Sequence, residues 1–238
     1  MQAAIRRVER IGLAAIGFSD HLHSDTDLED FARTRADVAD AAPRISVLVG
    51  CEAELLDNDG SVTVTPILAA SLDYVLLAPM HEYAPYIRYP SLRSARDAAR
   101  YVVDRHLAAA SCPLADVIAH PFTGVSFLGY SPEEVLPLVT DQDLERVVRA
   151  ALANGTAFEL SRRALNLPRG FARRFYRAAC EAGVDLLAGS DAHNLSDLGC
   201  VGLTWDMAVQ FGIPTTAFRS APRVRLPTAA TPSSLRQA

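Results

Sequence analysis

Six short polar segments each close a run of apolar residues: SDHLH (19–23), GCEAE (50–54), PMHEY (79–83), AHPF (119–122), ELS (159–161) and GSDAH (189–193). Five of the six histidines fall within them, together with Asp20, Glu52 and Asp191. Neutral imidazoles and carboxylates drawn from several segments, with no thiolate required, form a donor set for Zn²⁺, Mn²⁺ or Fe²⁺ rather than for Ca²⁺ or a soft metal. Glu52, His81 and His120 supply three protein ligands and leave positions for water and substrate. An ion held in this way lowers the pKa of bound water from about 15.7 to about 7, which is hydrolase chemistry. A single strand-end histidine is as readily a hydrogen-bonded structural residue, and a single Asp before a helix, such as Asp191, can be only an N-cap. The weight lies in the set.

Residues so far apart in sequence meet only if the elements beneath them bring them to one face. The apolar runs read as six buried strands: 13–18, 45–50, 73–78, 116–119, 156–160 and 184–189. Amphipathic stretches at 2–11, 27–41, 91–110, 141–154 and 169–182, with a shorter one near 204–211, read as helices between them. Alternation of this kind predicts an α/β fold with a parallel sheet, and in a parallel βα barrel the C-terminal strand ends share the face where active sites are built. Thr26 or Asp27 is expected to cap the second helix, Pro168 to open the one carrying Phe171 and Phe175, and Gly12 and Gly183 to close their helices. The DG turn within 54–66 suggests a small hairpin insertion. One barrel domain is expected over 1–218, and the Pro-, Ser- and Thr-rich 219–238 reads as an extended or mobile tail.

Composition narrows the function classes. The 238 residues are 50% hydrophobic and 21% charged, so the chain has a real core and is not chiefly disordered. Every one of the 23 basic residues is arginine, and 23 − 28 gives a net charge of −5, which argues against a nucleic-acid-coating or polybasic membrane role. No apolar run reaches transmembrane length, and the N-terminus does not read as a secretory signal. Cys51, Cys112, Cys180 and Cys200 lie far apart without a CxxC pair, as expected of buried thiols in a cytoplasmic protein.

The ordered set SDH, GCE, the histidines of PMHEY and AHPF, and GSDAHNLSDLG resembles the later motifs of the PHP (polymerase and histidinol phosphatase) superfamily of metal-dependent phosphoesterases, over roughly 3–203. The resemblance implies a distorted seven-stranded (β/α) TIM-like barrel with a cluster of divalent ions, Zn, Mn or Fe, at its C-terminal face. It implies that Glu52 bridges two ions, His81 and His120 complete one site, Asp191 binds the second, and His21 with His193 binds the third. Asp20 would be a near-site residue or proton relay. Members of the superfamily open with a strand carrying His-x-His, and this sequence begins just after its place, so about six strands and one to three ions are expected. A start assigned too far downstream is the preferred account, with a truncated chain or a divergent member with a reduced metal site as alternatives. A missing strand would bare two sheet edges, one beside the first strand, and favour homo-oligomers. His23 is expected to point away from His21 and not to replace a missing ligand.

Among the remaining residues, Arg88, Arg162 and Arg163 are candidates for gripping a phosphate, with plain surface arginine as the competing account. Tyr83, Tyr86 and Tyr89 line a pocket or pack a loop, His106 is structural or solvated, and Cys51 belongs to the core behind Glu52. The expected function is hydrolysis of a small phosphate ester by a metal-bound hydroxide, with Asp20, Glu52 and Asp191 as the catalytic carboxylates. An impaired scaffold that binds a ligand or partner without turnover is the alternative. Amidohydrolase-like chemistry has no carbamylatable lysine to rest on, since the chain contains none.

Overall fold

The computed structural model describes residues 1–23, 26, 28–199 and 201–219. Six parallel strands, β1 (Ala15–Leu22), β2 (Ser46–Glu54), β3 (Val75–Ala78), β4 (Val117–Ile118), β5 (Ala157–Leu160) and β6 (Leu186–Ala188), pair in sequence order. They curl into a half-barrel flanked by helices α1 (Gln2–Arg10), α2 (Glu29–Ala41), α3 (Pro66–Ser71), α4 (Ala95–Ala110), α5 (Pro132–Val135), α6 (Asp141–Asn154), α7 (Arg169–Glu181) and α8 (Val201–Phe211). All six expected strands and all six expected helices are present. The short α3 and α5, which sequence periodicity did not show, are each opened by a capping Thr65 or Ser131 followed by proline.

The reasons are local. Thr140 and Asp143 form a reciprocal capping box at the head of α6. Gly183, at φ 84°, takes the left-handed conformation that ends α7 and lets the Val184 amide reach back to the Ala179 carbonyl at 2.9 Å. The hairpin insertion forms as expected, with Leu55 bridged to Val62 and the Leu56 amide donating to the Ser61 carbonyl at 2.7 Å. Thr26 does not cap α2, which starts behind Leu28 without a side-chain cap. Its hydroxyl instead accepts from the His23 amide at 2.8 Å and donates to the His21 carbonyl at 3.3 Å, so it pins the end of β1. Asp27, Cys200 and the tail beyond Arg219 lie outside the described residues.

Between sheet and helices the core is continuous. Phe122, Phe158, Phe171 and Phe175 meet edge to face at 4.8–5.0 Å, and Cys51 and Cys112 are buried cysteines outside any disulfide. Gly189 follows β6 because a Cβ there would stand 1.9 Å from Glu159 Oε1. Gly189→Ala is therefore expected to destabilise the fold by about 1–3 kcal/mol, read as a lowered urea midpoint at unchanged m.

The β6 edge is not bare. Leu186 is bridged in parallel to Phe218, the Arg219 amide donates to the Leu186 carbonyl at 2.8 Å, and the Arg219 guanidinium pairs with Asp185. Along the other edge, β1 pairs with no strand but β2 among the described residues, while Arg7 on α1 reaches the Leu198 carbonyl at 3.1 Å. None of the described helices is long and apolar enough to cross a membrane.

Candidate metal centre

Parallel register brings the first donors together. His21 on β1 stands opposite Glu52 on β2, and their side chains approach to 3.8 Å. His81 follows β3 by three residues and His120 follows β4 by two, so both enter from the loops at the same end of the sheet. Glu52 Oε1 lies 2.9 Å from His120 Nε2 and 3.6 Å from His81 Nε2, and the two imidazole nitrogens are 3.3 Å apart. His21, Glu52 and His81 also bring one donor atom each within 4.8 Å of one another. The buried Nδ1 of His21 has no hydrogen-bond partner.

The outer nitrogens of these rings are already committed. His120 Nδ1 meets the Thr123 hydroxyl at 3.1 Å, and that hydroxyl donates to the His120 carbonyl at 2.7 Å, so Nδ1 carries a proton and Nε2 faces Glu52. His81 Nδ1 meets Glu54 Oε1 at 3.3 Å. Ring nitrogens anchored in this way are a regular feature of metal-ligating histidines.

The electrostatics follow from crowding. Burial works against the Glu52 carboxylate, but the hydrogen bond from His120 and the charges of His120, His81 and His21 outweigh it and hold its pKa down at about 2. Burial likewise opposes charge on His120, and its hydrogen bond to Glu52 raises the pKa above the ordinary histidine value. Burial lowers that of His21. Glu159 is 5% exposed at the end of β5, and burial pushes its pKa up to about 7 while its Oε2 accepts from the His120 amide at 2.7 Å.

His120 needs that support because its backbone is unusual. His120 and Phe122 have φ of 27° and 63°, in the left-handed region that non-glycine residues rarely enter. His106 clamps the turn from beneath. Its Nε2 accepts from the Phe122 amide at 2.7 Å, its Nδ1–H donates to the Val102 carbonyl at 2.7 Å, and its ring stacks on Phe122 at 3.9 Å. Burial drives its pKa down to about 3, so the ring is neutral and serves as an acceptor. His106 is structural, not solvated.

A cleft of about 510 Å³ opens over the centre. His21, Glu52, His81, His120, Asp191 and His193 all line it, as the sequence predicted, and so does Arg163. Asp191 pairs with Arg163, and the His193 ring lies 6.2 Å from that of His21. Three other candidates sit elsewhere. Asp20 is exposed outside the cleft, because strand alternation turns it to the face opposite His21. Arg88 is exposed in its loop, and Arg162 is spent on Asp197 at 3.0 Å and on the Asp191 carbonyl at 3.2 Å.

The expectation for His23 is corrected. Residues two apart on an extended strand share a face, and the His23 ring stacks on His21 at 5.0 Å with 12° between planes. The same periodicity, applied to GCEAE, places Glu54 beside Glu52. Glu54 and Glu159 were missed as site residues although both stand in the strand-end segments. The apolar wall formed by Val125, Phe127 and Pro132 had no signal in any single segment, since it comes from the connection between β4 and α6 that includes α5.

No protein-family profile matches the chain. A protein named Probable phosphatase from Acetivibrio thermocellus is 27% identical over 173 residues, which is 71% of this chain and 62% of that relative. The chain therefore spans less than two thirds of that relative's length. A crystal structure of a Listeria monocytogenes protein bearing the name histidinol phosphatase superposes with a TM-score of 0.59 at 10% identity, covering 83% of this chain and 90% of the other. At that identity the likeness is one of fold.

Proposed function

We propose that this chain is a metal-dependent phosphatase of the PHP type, hydrolysing a small phosphate ester in the cleft over Glu52, His81 and His120. The observation that carries the reading is the convergence of three donor atoms. Two imidazole Nε2 atoms 3.3 Å apart, facing a carboxylate oxygen at 2.9 and 3.6 Å, repel one another unless a proton or a cation lies among them. The donor set and its anchored outer nitrogens fit a divalent ion such as Zn²⁺, Mn²⁺ or Fe²⁺. His21, Asp191 and His193 on the same cleft wall supply donors for a further ion. The names carried by the two similar proteins support phosphate-ester chemistry.

When bound, the ion supplies Lewis-acid activation of water and of the phosphoryl group. The chain's own residues do the rest. Glu52 places one anionic carboxylate among three imidazoles and so balances their charge. Glu159, Thr123 and His106 hold His120 in its strained backbone. Arg163 offers a planar guanidinium at the cleft, able to exchange its Asp191 carboxylate for phosphate oxygens. Tyr83, Phe127 and Leu167 wall the cleft with apolar surface that excludes water and packs the alcohol portion of the ester.

Elemental analysis of the purified chain, with p-nitrophenyl phosphate hydrolysis before and after chelation, tests the reading. Bound Zn, Mn or Fe is expected, with activity lost on chelation and restored by adding the ion back. Hydrolysis that continues at full rate after the ion has been stripped would overturn it.

A further inference from the structure

The β1/β2 register sets His21 against Glu52 and ends at Leu22 and Ala53. His23 stands just past the end of β1, and its Nδ1 lies 2.9 Å from Oε1 of Glu54, the last residue of β2. The Glu54 side chain is fully buried, and both ends of its peptide are tied to the hairpin insertion. The Glu54 amide donates to the Thr63 hydroxyl at 2.9 Å, and the Thr63 amide donates to the Glu54 carbonyl at 3.0 Å. Tyr86 donates its hydroxyl proton to Oε2. Oε1 is thereby left facing two rings, at 2.9 Å from His23 Nδ1 and 3.3 Å from His81 Nδ1.

We propose that Glu54 is a positioning residue that fixes the tautomers of His81 and His23 together, so that each neutral ring carries its proton on Nδ1 and presents Nε2 as a lone pair. The inference rests on the metal-site reading above. Its chemistry is that of acceptors and donors: Oε1 accepts, so each nitrogen facing it must donate. The Tyr86 oxygen, also 2.9 Å from His23 Nδ1, has committed its own proton to Glu54 and can likewise only accept there. For His81 the result is an Nε2 lone pair aimed at the Glu52 and His120 donors. For His23 it is a ligand-competent nitrogen in the ring layer stacked on His21. One buried carboxylate thus presets two histidines before any ion arrives, which removes a tautomer change from the cost of binding.

Two measurements test this, neither of them activity. Long-range ¹H–¹⁵N spectra of the ion-free chain at alkaline pH read the tautomer of each ring, and Nδ1–H forms are expected for His81 and His23. An Nε2–H form at His81 overturns the proposal without any variant. Zinc affinity is then measured by chelator competition. Glu54→Leu, which removes both acceptors, is expected to weaken zinc roughly 10–100-fold. Glu54→Gln keeps one acceptor oxygen and is expected to stay closer to the wild type. Equal zinc affinity in the wild type and Glu54→Leu overturns the proposal. A wild-type chain with both Nδ1–H tautomers that binds no zinc overturns the metal reading instead, and leaves the tautomer assignment standing.

Discussion

Glu52→Gln is expected to lower kcat/KM for phosphate-ester hydrolysis by on the order of 10³-fold, with loss of the bound ion. The substitution keeps the shape of the side chain and removes its charge. In the native chain that charge is secure, because a carboxylate with a pKa of about 2 stays ionised at any working pH. Its oxygens face His120 at 2.9 Å, His81 at 3.6 Å and His21 at 3.8 Å. An amide would offer one acceptor oxygen, turn an N–H toward one of these rings, and leave a cation among the imidazoles without its counter-charge. Parallel measurement of ion content and steady-state kinetics checks the prediction. A variant that keeps both its ion and wild-type kinetics would show that Glu52 is a structural acid. The fold itself should survive, since Glu52 lies at the cleft and not within the aliphatic core.

Relative to Glu159→Gln, the stability of the ion-free wild type is expected to fall by about 3 kcal/mol as pH rises from about 4.5 to above 7. Glu159 has a folded pKa of about 7 because burial disfavours its anion, against an ordinary 4.5. The folded state therefore holds a proton that the unfolded state releases first. Its contribution is fully present below 4.5 and is lost as pH climbs through about 7. At about 1.4 kcal/mol per pH unit, that interval gives the stated magnitude. Glu52 has the opposite sign, but its folded pKa of about 2 confines its effect to acid solution below 4.5. His120, whose pKa is raised, shares the sign of Glu159, whereas His106, held down at about 3, gains stability as pH rises towards 6.5, so it is the difference between the wild type and Glu159→Gln that isolates the buried acid. Urea unfolding in the presence of a chelator across this range reads the slopes directly. Parallel slopes in the two proteins would refute the assignment.

Most of the candidate centre is legible in the sequence because it depends on periodicities of short range. Apolar runs broken by helical stretches predict parallel strands, and parallel strands put their C-terminal ends on one face. His21, Glu52, His81, His120, Asp191 and His193 follow from that rule, and all of them line the cleft. His23 and Glu54 obey the same rule of two. Both follow from strand alternation alone.

Other features had no such route. Arg163 and Arg162 are neighbours after one strand, yet the loop at 191–197 takes Arg162 while Arg163 lines the cleft. His106 sits mid-helix, and only the packing of α4 under the turn after β4 makes it the acceptor for the Phe122 amide. Phe218 and Arg219 lie beyond every periodic segment, and pairing with Leu186 makes them a cover for the sheet edge.

The sequence by itself determined which residue types stand at the strand ends, hence the α/β architecture and the donor chemistry. Strand alternation and helical period are properties of the backbone that each segment carries alone. The tertiary structure decided which nitrogen of each ring is anchored, which acid is buried enough to keep its proton near neutrality, and which arginine reaches the cleft. Those outcomes depend on angstrom-scale distances and local dielectric between elements far apart in the chain, and these exist only once the elements have packed.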